Sequence, residues 1–192
     1  MLEYSMCDIA PTVSGILGIP VPAQAQGCPI PQIVADLSGS AKVALLAPDA
    51  FGLYAFNLWR AEMPYLVSLH AQRSIVLRSV MPSITPVNFA CMVTGADQAG
   101  HGVHTREDPF ACETLFDVLR RADMQSAGIG LNDYTGCRLL GRHADIAGCV
   151  DDRGSDDDIA EAILRIARTQ GPQLLIAQLG RVDDVFHLYG PS

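Results

Sequence analysis

Apolar and polar positions alternate along this chain in two periods. Short apolar runs at Val43 to Ala47, Ser74 to Leu77, Ala127 to Leu131 and Gln173 to Leu179 have strand length and end at Gly, Pro or charged residues. Between them, helical spacing recurs at Met63 to Ala71, Asn88 to Val93, Cys112 to Ala122 and Asp157 to Thr169. Strands that are apolar throughout, separated by helices, predict an α/β fold with a largely parallel central sheet and helices on both faces. In such a sheet the chemistry gathers at the carboxyl ends of the strands. The first forty residues differ. A short helix near Thr12 to Leu17, ended by Gly18, runs into the connector IPVPAQAQGCPIPQ, so residues 1–40 read as a packing arm ahead of a domain over 41–192. No internal repeat or low-complexity tract stands out.

Composition narrows the function. A chain of 192 residues with 49% hydrophobic content can bury a sizeable core. Thirteen Lys and Arg against 21 Asp and Glu give a formal charge of -8, which repels a nucleic-acid backbone. A polymeric nucleic-acid partner is therefore not expected, and a small phosphorylated substrate fits only if bound cations reverse the local field. The N-terminus has no basic start, and Asp8, Pro11 and Pro20 interrupt its apolar stretch, so neither a signal peptide nor a membrane partner is expected. Cys7, Cys28, Cys91, Cys112, Cys137 and Cys149 show no paired zinc-type spacing; free thiols in a cytoplasmic protein are the expectation. Oligomeric state is not legible.

Three places carry candidate chemistry. In SITPVNFACMVTGADQAGHGV, Thr85 is placed at a helix cap with Pro86 in the first helical position and Asn88 on the first turn. A helix start with unpaired N–H groups attracts a phosphate, although the same residues also read as a plain cap. The run VALLAPDAFG releases Asp49 at a strand end, a position for a metal ligand or for a capping carboxylate. The run QLLIAQLG releases Asp183, Asp184 and His187, a carboxylate and imidazole set that suits zinc or a similar ion. Other polar clusters read more plainly. DDRGSDDD lacks calcium-loop spacing and precedes a helix, with Ser155 and Asp158 arranged as a cap, while His104 and His143 lie in loops.

Taken together, these residues resemble the alkaline phosphatase superfamily, nearest its type I phosphodiesterase and nucleotide pyrophosphatase branch. The resemblance runs from Val43 to the C-terminus through Asp49, Thr85, Asn88, Thr94, Gly95, His101 and Gly102, then Asp183, His187, Gly190 and Pro191. It implies an alkaline phosphatase-like fold and two divalent cations, Zn²⁺ or Mn²⁺, roughly 4 Å apart. By the same resemblance Thr85 is the nucleophile, Asn88 contacts a phosphoryl oxygen, Asp49 and Thr85 belong to one cation, and Asp183 and His187 belong to the other. The implied reaction proceeds through a covalent phosphothreonine. His101 and Gly102 are expected to shape the loop after the nucleophile helix.

Several features depart from the family. Its remaining ligands, an Asp-His-Gly motif and a later His, have no counterpart here, so the chain is expected to be the N-terminal part of a longer catalytic domain, incomplete at the C-terminus. DIAPTVSGILGIPVP resembles a segment that relatives carry near their C-terminal end, and Phe186 stands where they often have a small residue. Sulfatases use a modified Cys or Ser, but Cys91 lacks the Pro and Arg their motif needs. Phosphonate hydrolases, phosphomonoesterases and phosphosugar mutases of the superfamily are nearer alternatives. From a different class, the alternative is a non-catalytic α/β binding module lacking the second metal half.

Overall fold

The structure is a computed structural model and describes residues 4–190. Strand β1 (Tyr4–Ser5) leads through a 3-10 turn at Met6–Asp8 into helix α1 (Ile9–Leu17), which Gly18 ends with φ of 68°. Helix α2 (Pro31–Leu37) starts on a proline, whose missing N–H costs nothing in the first turn. There follow β2 (Val43–Pro48), α3 (Leu53–Trp59), α4 (Pro64–Gln72), β3 (Leu77–Arg78), α5 (Thr85–Thr94) and α6 (Gln98–His101). Helix α7 (Leu115–Arg121) is capped by Thr114, β4 spans Ser126–Leu131, a π-helical turn covers Gly136–Gly141, and β5 spans Ile146–Val150. Helix α8 (Asp156–Thr169), β6 (Leu174–Leu179) and α9 (Arg181–Tyr189) complete the order. As read from the sequence, Ser155 and Asp158 close a capping box at the start of α8.

The fold is α/β. The central sheet runs β2-β6-β4-β5, with every pairing parallel. Its two central strands are buried, and alternate side chains serve opposite faces. Leu174 and Ile176 join Ala10, Val13, Phe89, Val93, Phe116 and Leu119 in a core beneath α1, α5 and α7. Leu175, Ala177, Ala127 and Ile129 pack on Ile159, Ala162 and Ile166 of α8. Helices therefore cover both faces, and residues of the N-terminal arm reach the main core. The π-helical turn lies directly on β4 because glycines face each other there. A Cβ on Gly128 would stand 2.5 Å from the Gly141 nitrogen, and one on Gly136 would stand 2.4 Å from the Ile129 carbonyl oxygen.

Three expectations need correction. Ser74 to Leu77 contributes no strand to the central sheet; only Leu77–Arg78 is extended, and it pairs with β1 in a separate ribbon. The fourth central strand is Ile146–Val150. Thr85 is not the cap of α5 but its first residue, with Ile84 in the cap position at φ of -112° and ψ of 153°. Nor are all six cysteines free: Cys137 and Cys149 are disulfide-bonded across a Cα separation of 5.4 Å, because the π-helical turn lies beside β5. Cys7, Cys28, Cys91 and Cys112 are free. Among the described residues no helix is long and apolar enough to cross a membrane.

Candidate active site

Strand register brings the site together. Pro48 pairs with Leu179, and the Asp49 N–H donates to the Leu179 carbonyl at 2.8 Å, so the ends of β2 and β6 finish side by side. Asp49 leaves one strand there, and α9, which carries Asp183 and His187, leaves the other. Helix α5 starts against them. Because Thr85 does not cap its own helix, its hydroxyl is free to reach Asp49, with Oγ1 at 3.2 Å from both carboxylate oxygens. Asp49, Thr85, Pro86, Gln178, Asp183, Asp184 and His187 line one cavity of about 550 Å³, together with His104 to Arg106 and Asp133 to Thr135. A neighbouring cavity of about 620 Å³ shares Asp133 and lies over the Cys137–Cys149 disulfide.

The carboxylates have different partners. Asp49 accepts from Ala50 N–H at 2.9 Å and from Gln178 Nε2 at 2.6 Å. Burial raises its pKa, and the charge of Asp183 adds to that rise against the hydrogen bonds from Gln178, Thr85 and Ala50. Asp183 and His187, four residues apart on α9, approach each other, with His187 Nε2 at 3.5 Å from Asp183 Oδ2. Asp184 instead accepts from the Tyr134 hydroxyl. That bond, with burial and the nearby carboxylates, pushes the Tyr134 pKa up to about 12, so the phenol keeps its proton. The two adjacent aspartates thus divide: Asp183 is electrostatically coupled to Asp49, and Asp184 is tied to Tyr134.

Asn88 lies on the first turn of α5 as expected, but its amide is already engaged. Its Oδ1 accepts from Val80 N–H at 2.9 Å, and its Nδ2 donates to the carbonyls of Val80 and Ile84 at 3.2 Å each. Both amide hydrogens are thereby used to fold residues 80–84 onto α5, and Asn88 is not among the residues lining the cavity. Contact with a phosphoryl oxygen requires exchange of these bonds. His101 is buried, and its Nδ1 accepts from Val103 N–H at 3.0 Å, which bends the loop after α6 around Gly102 at φ of 70°. Its Nε2 stands 3.4 Å from Cys91 Sγ, and burial lowers the pKa of the ring. Cys91 is itself fully buried in α5, away from the cavity.

Carboxylate, hydroxyl and imidazole groups form a donor set that suits Zn²⁺ or Mn²⁺. Asp49 and Asp183, which repel each other, are the kind of pair a cation relieves. Among the described residues, however, no three His, Cys, Asp or Glu side chains converge on a common point. The His187 side chain is 79% exposed and lies beside Asp183. Gln178 and Tyr134 escaped the sequence reading. Gln178 carried one signal, a polar residue inside a buried apolar run; Tyr134 carried none. No family model matches the chain, and no curated protein matches it either.

Proposed function

We propose that this protein is a metal-dependent phosphoric ester hydrolase of the phosphodiesterase or nucleotide pyrophosphatase kind, with Thr85 as nucleophile. The observation that carries the proposal is the Thr85 hydroxyl at 3.2 Å from both oxygens of Asp49, inside a cavity that Asp183 and His187 also line. Two divalent cations, Zn²⁺ or Mn²⁺, would be held by Asp49 with Thr85 and by Asp183 with His187; when bound they supply positive charge that acidifies the hydroxyl and screens the phosphate.

The remaining steps belong to the chain. Thr85 Oγ1 directs its hydrogen at Asp49, and the N-terminal end of α5 opens at the cavity through Thr85 and Pro86. Oγ1 gives its proton to Asp49 and bonds to phosphorus as the ester oxygen departs and takes that proton up, giving a phosphothreonine and an alcohol. Water then cleaves the phosphothreonine, its oxygen leaving on the phosphate and one of its protons restoring the Thr85 hydroxyl. Tyr134, which keeps its proton, and Arg106 lie on the cavity wall where a substrate oxygen can be met. Small phosphate diesters and pyrophosphates fit this site; a polymeric nucleic acid meets a chain of formal charge -8.

Thr85→Ala in the intact protein is expected to cut hydrolysis of bis-p-nitrophenyl phosphate about a thousandfold or more. The melting temperature should hold, since Thr85 makes no cap hydrogen bond. Retained turnover overturns the nucleophile assignment. A non-catalytic binding module is the second reading, favoured by the absence of three converging ligand side chains among the described residues. Protein that takes up neither Zn²⁺ nor Mn²⁺ and hydrolyses no ester decides for it. The cytoplasmic assignment rests on the four free cysteines, against the Cys137–Cys149 bond that oxidising compartments favour. Thiol counting on protein quenched inside the cell distinguishes six thiols from four.

A further inference from the structure

Gln178 ends the buried run of β6 as a polar side chain only 2% exposed, and both ends of its amide are engaged. Oε1 accepts from the Gly136 N–H at 2.6 Å, and Nε2 donates to Asp49 Oδ2 at 2.6 Å. The first bond fixes the second. A peptide N–H requires the oxygen of the amide, so the nitrogen has to face Asp49 and the group cannot flip. Gly136 permits the approach, since a Cβ there would lie 2.8 Å from the Gln178 Cβ. On the far side of the carboxylate, Ala50 N–H holds Oδ1 at 2.9 Å. Asp49 is therefore gripped at each oxygen, with Thr85 Oγ1 equally distant from the two.

We propose that Gln178 is a positioning residue for the reaction, holding the Asp49 carboxylate in the one orientation that serves the Thr85 hydroxyl. The inference rests on the hydrolase reading above and names a residue that reading does not require. Its physical basis is the company Asp49 keeps. Asp183 repels it, and a carboxylate held on one side only would swing away from that charge. An ammonium or guanidinium at position 178 would hold Asp49 too, but would cancel the negative charge that a cation needs. A neutral amide supplies a short, charge-assisted hydrogen bond and leaves that charge in place. The same amide ties the site to the π-helical turn, whose preceding residues Tyr134 and Thr135 also line the cavity.

Two measurements on the intact protein test the proposal. Gln178→Leu, assayed well below its melting temperature with bis-p-nitrophenyl phosphate, is expected to lose about 10- to 100-fold in kcat. KM should move by less than about threefold, because the substrate contacts remain. A purely structural role for Gln178 would lower the melting temperature and leave kcat of the folded variant unchanged, and that result overturns the proposal. Independently of turnover, one side-chain N–H of Gln178 should resonate downfield and resist solvent exchange in the wild type, and lose both properties in Asp49→Ala. An amide signal indifferent to Asp49 also overturns it. Wild-type protein without any turnover fails the hydrolase reading alone, and the amide signal then decides whether Gln178 positions Asp49.

Discussion

The chain contains two regions built from similar strands and helices and covered very differently. Around β4 and β6, side chains such as Phe116, Leu119, Ile129 and Ile176 are wholly buried. Between Val43 and Ile84, Ala55 alone is buried, while Leu46, Leu53, Tyr54, Trp59 and Tyr65 are all exposed. Strand β2 shows the contrast within one element. It lies at the sheet edge, one row of its side chains half-buried and the other row, Ala44, Leu46 and Pro48, exposed. The candidate site sits on the seam. Thr85 opens a helix whose remaining turns are mostly buried, so it is held by the rigid region; Asp49 leaves the open region; and Asp183 and His187 ride on α9, which has no buried residue. The difference teaches where precision comes from: β2 reaches the rigid region through β6, and Gln178 extends that link to the Asp49 side chain.

Core truncation is the strongest way to break this comparison. Leu119→Ala, at a fully buried position in the main core, should destabilise by about 2–5 kcal/mol. Tyr65→Ala, at 72% exposure on α4, should cost less than about 0.5 kcal/mol. Urea unfolding of the two variants reads both. Equal losses would mean that α4 is covered in solution and that the open region is not open.

The same contrast governs what could be read from the sequence. Strands β4 and β6 were legible because burial on both faces leaves continuous apolar runs, and α5, α7 and α8 because apolar residues recur at helical spacing, with Pro86 and the Ser155 cap marking two of the starts. Strand β5 was hidden by Gly148, which is there for packing: a Cβ would stand 2.7 Å from Ile166 Cδ1. In the open region apolar content misled. Ile75 and Val76 have strand character, yet Val76 is 65% exposed and no central strand forms. Asp49, Thr85, Asp183 and His187 could be chosen because local motifs mark each of them, and the structure brings them to one cavity. The Gln178 contact with Asp49 spans 129 positions, and no local pattern encodes it. Asn88 was assigned from its place on the first helical turn and from the family resemblance, neither of which shows that Val80 and Ile84 already occupy its amide.

The paired aspartates of α9 sharpen the comparison at the seam. Asp183 is coupled to Asp49, at the end of the open strand, whereas Asp184 is bonded to Tyr134 beside the covered π-helical turn. Under the proposed function, zinc binding by Asp183→Ala, followed calorimetrically, should weaken about tenfold or more, equivalent to about 1.4 kcal/mol. Asp184→Ala should change it by less than about threefold, or 0.7 kcal/mol. The reverse order would place the ligand on the carboxylate that holds the tyrosine.

The smallest effects concern one carboxylate from each region, and they have opposite signs. Asp145 is partly desolvated, which acts to raise its pKa, but the hydrogen bonds from Ser126 and the ion pair with Arg120 outweigh this and hold it below the usual carboxylate value. The folded state then binds the proton less tightly than the unfolded one. Its contribution is present above about pH 4 and is lost as pH falls through the folded pKa. Asp145→Asn should therefore cost about 1 kcal/mol near neutral pH, after allowance for solvent screening, and flatten the acid limb of the stability curve. Asp49 is the reverse case, raised by burial and by Asp183. The folded state binds its proton more tightly, so stability is lost as pH rises from about 4 through the folded pKa. Asp49→Asn removes that penalty and should leave the protein at neutral pH as stable as the wild type or more so, by no more than about 0.5 kcal/mol. It should at the same time lose zinc binding. Urea unfolding of both variants between about pH 4 and about pH 8 reads the two signs. A destabilised Asp49→Asn would show that its hydrogen bonds to Thr85 and Gln178 outweigh the repulsion from Asp183, and that the carboxylate serves the fold before it serves a cation.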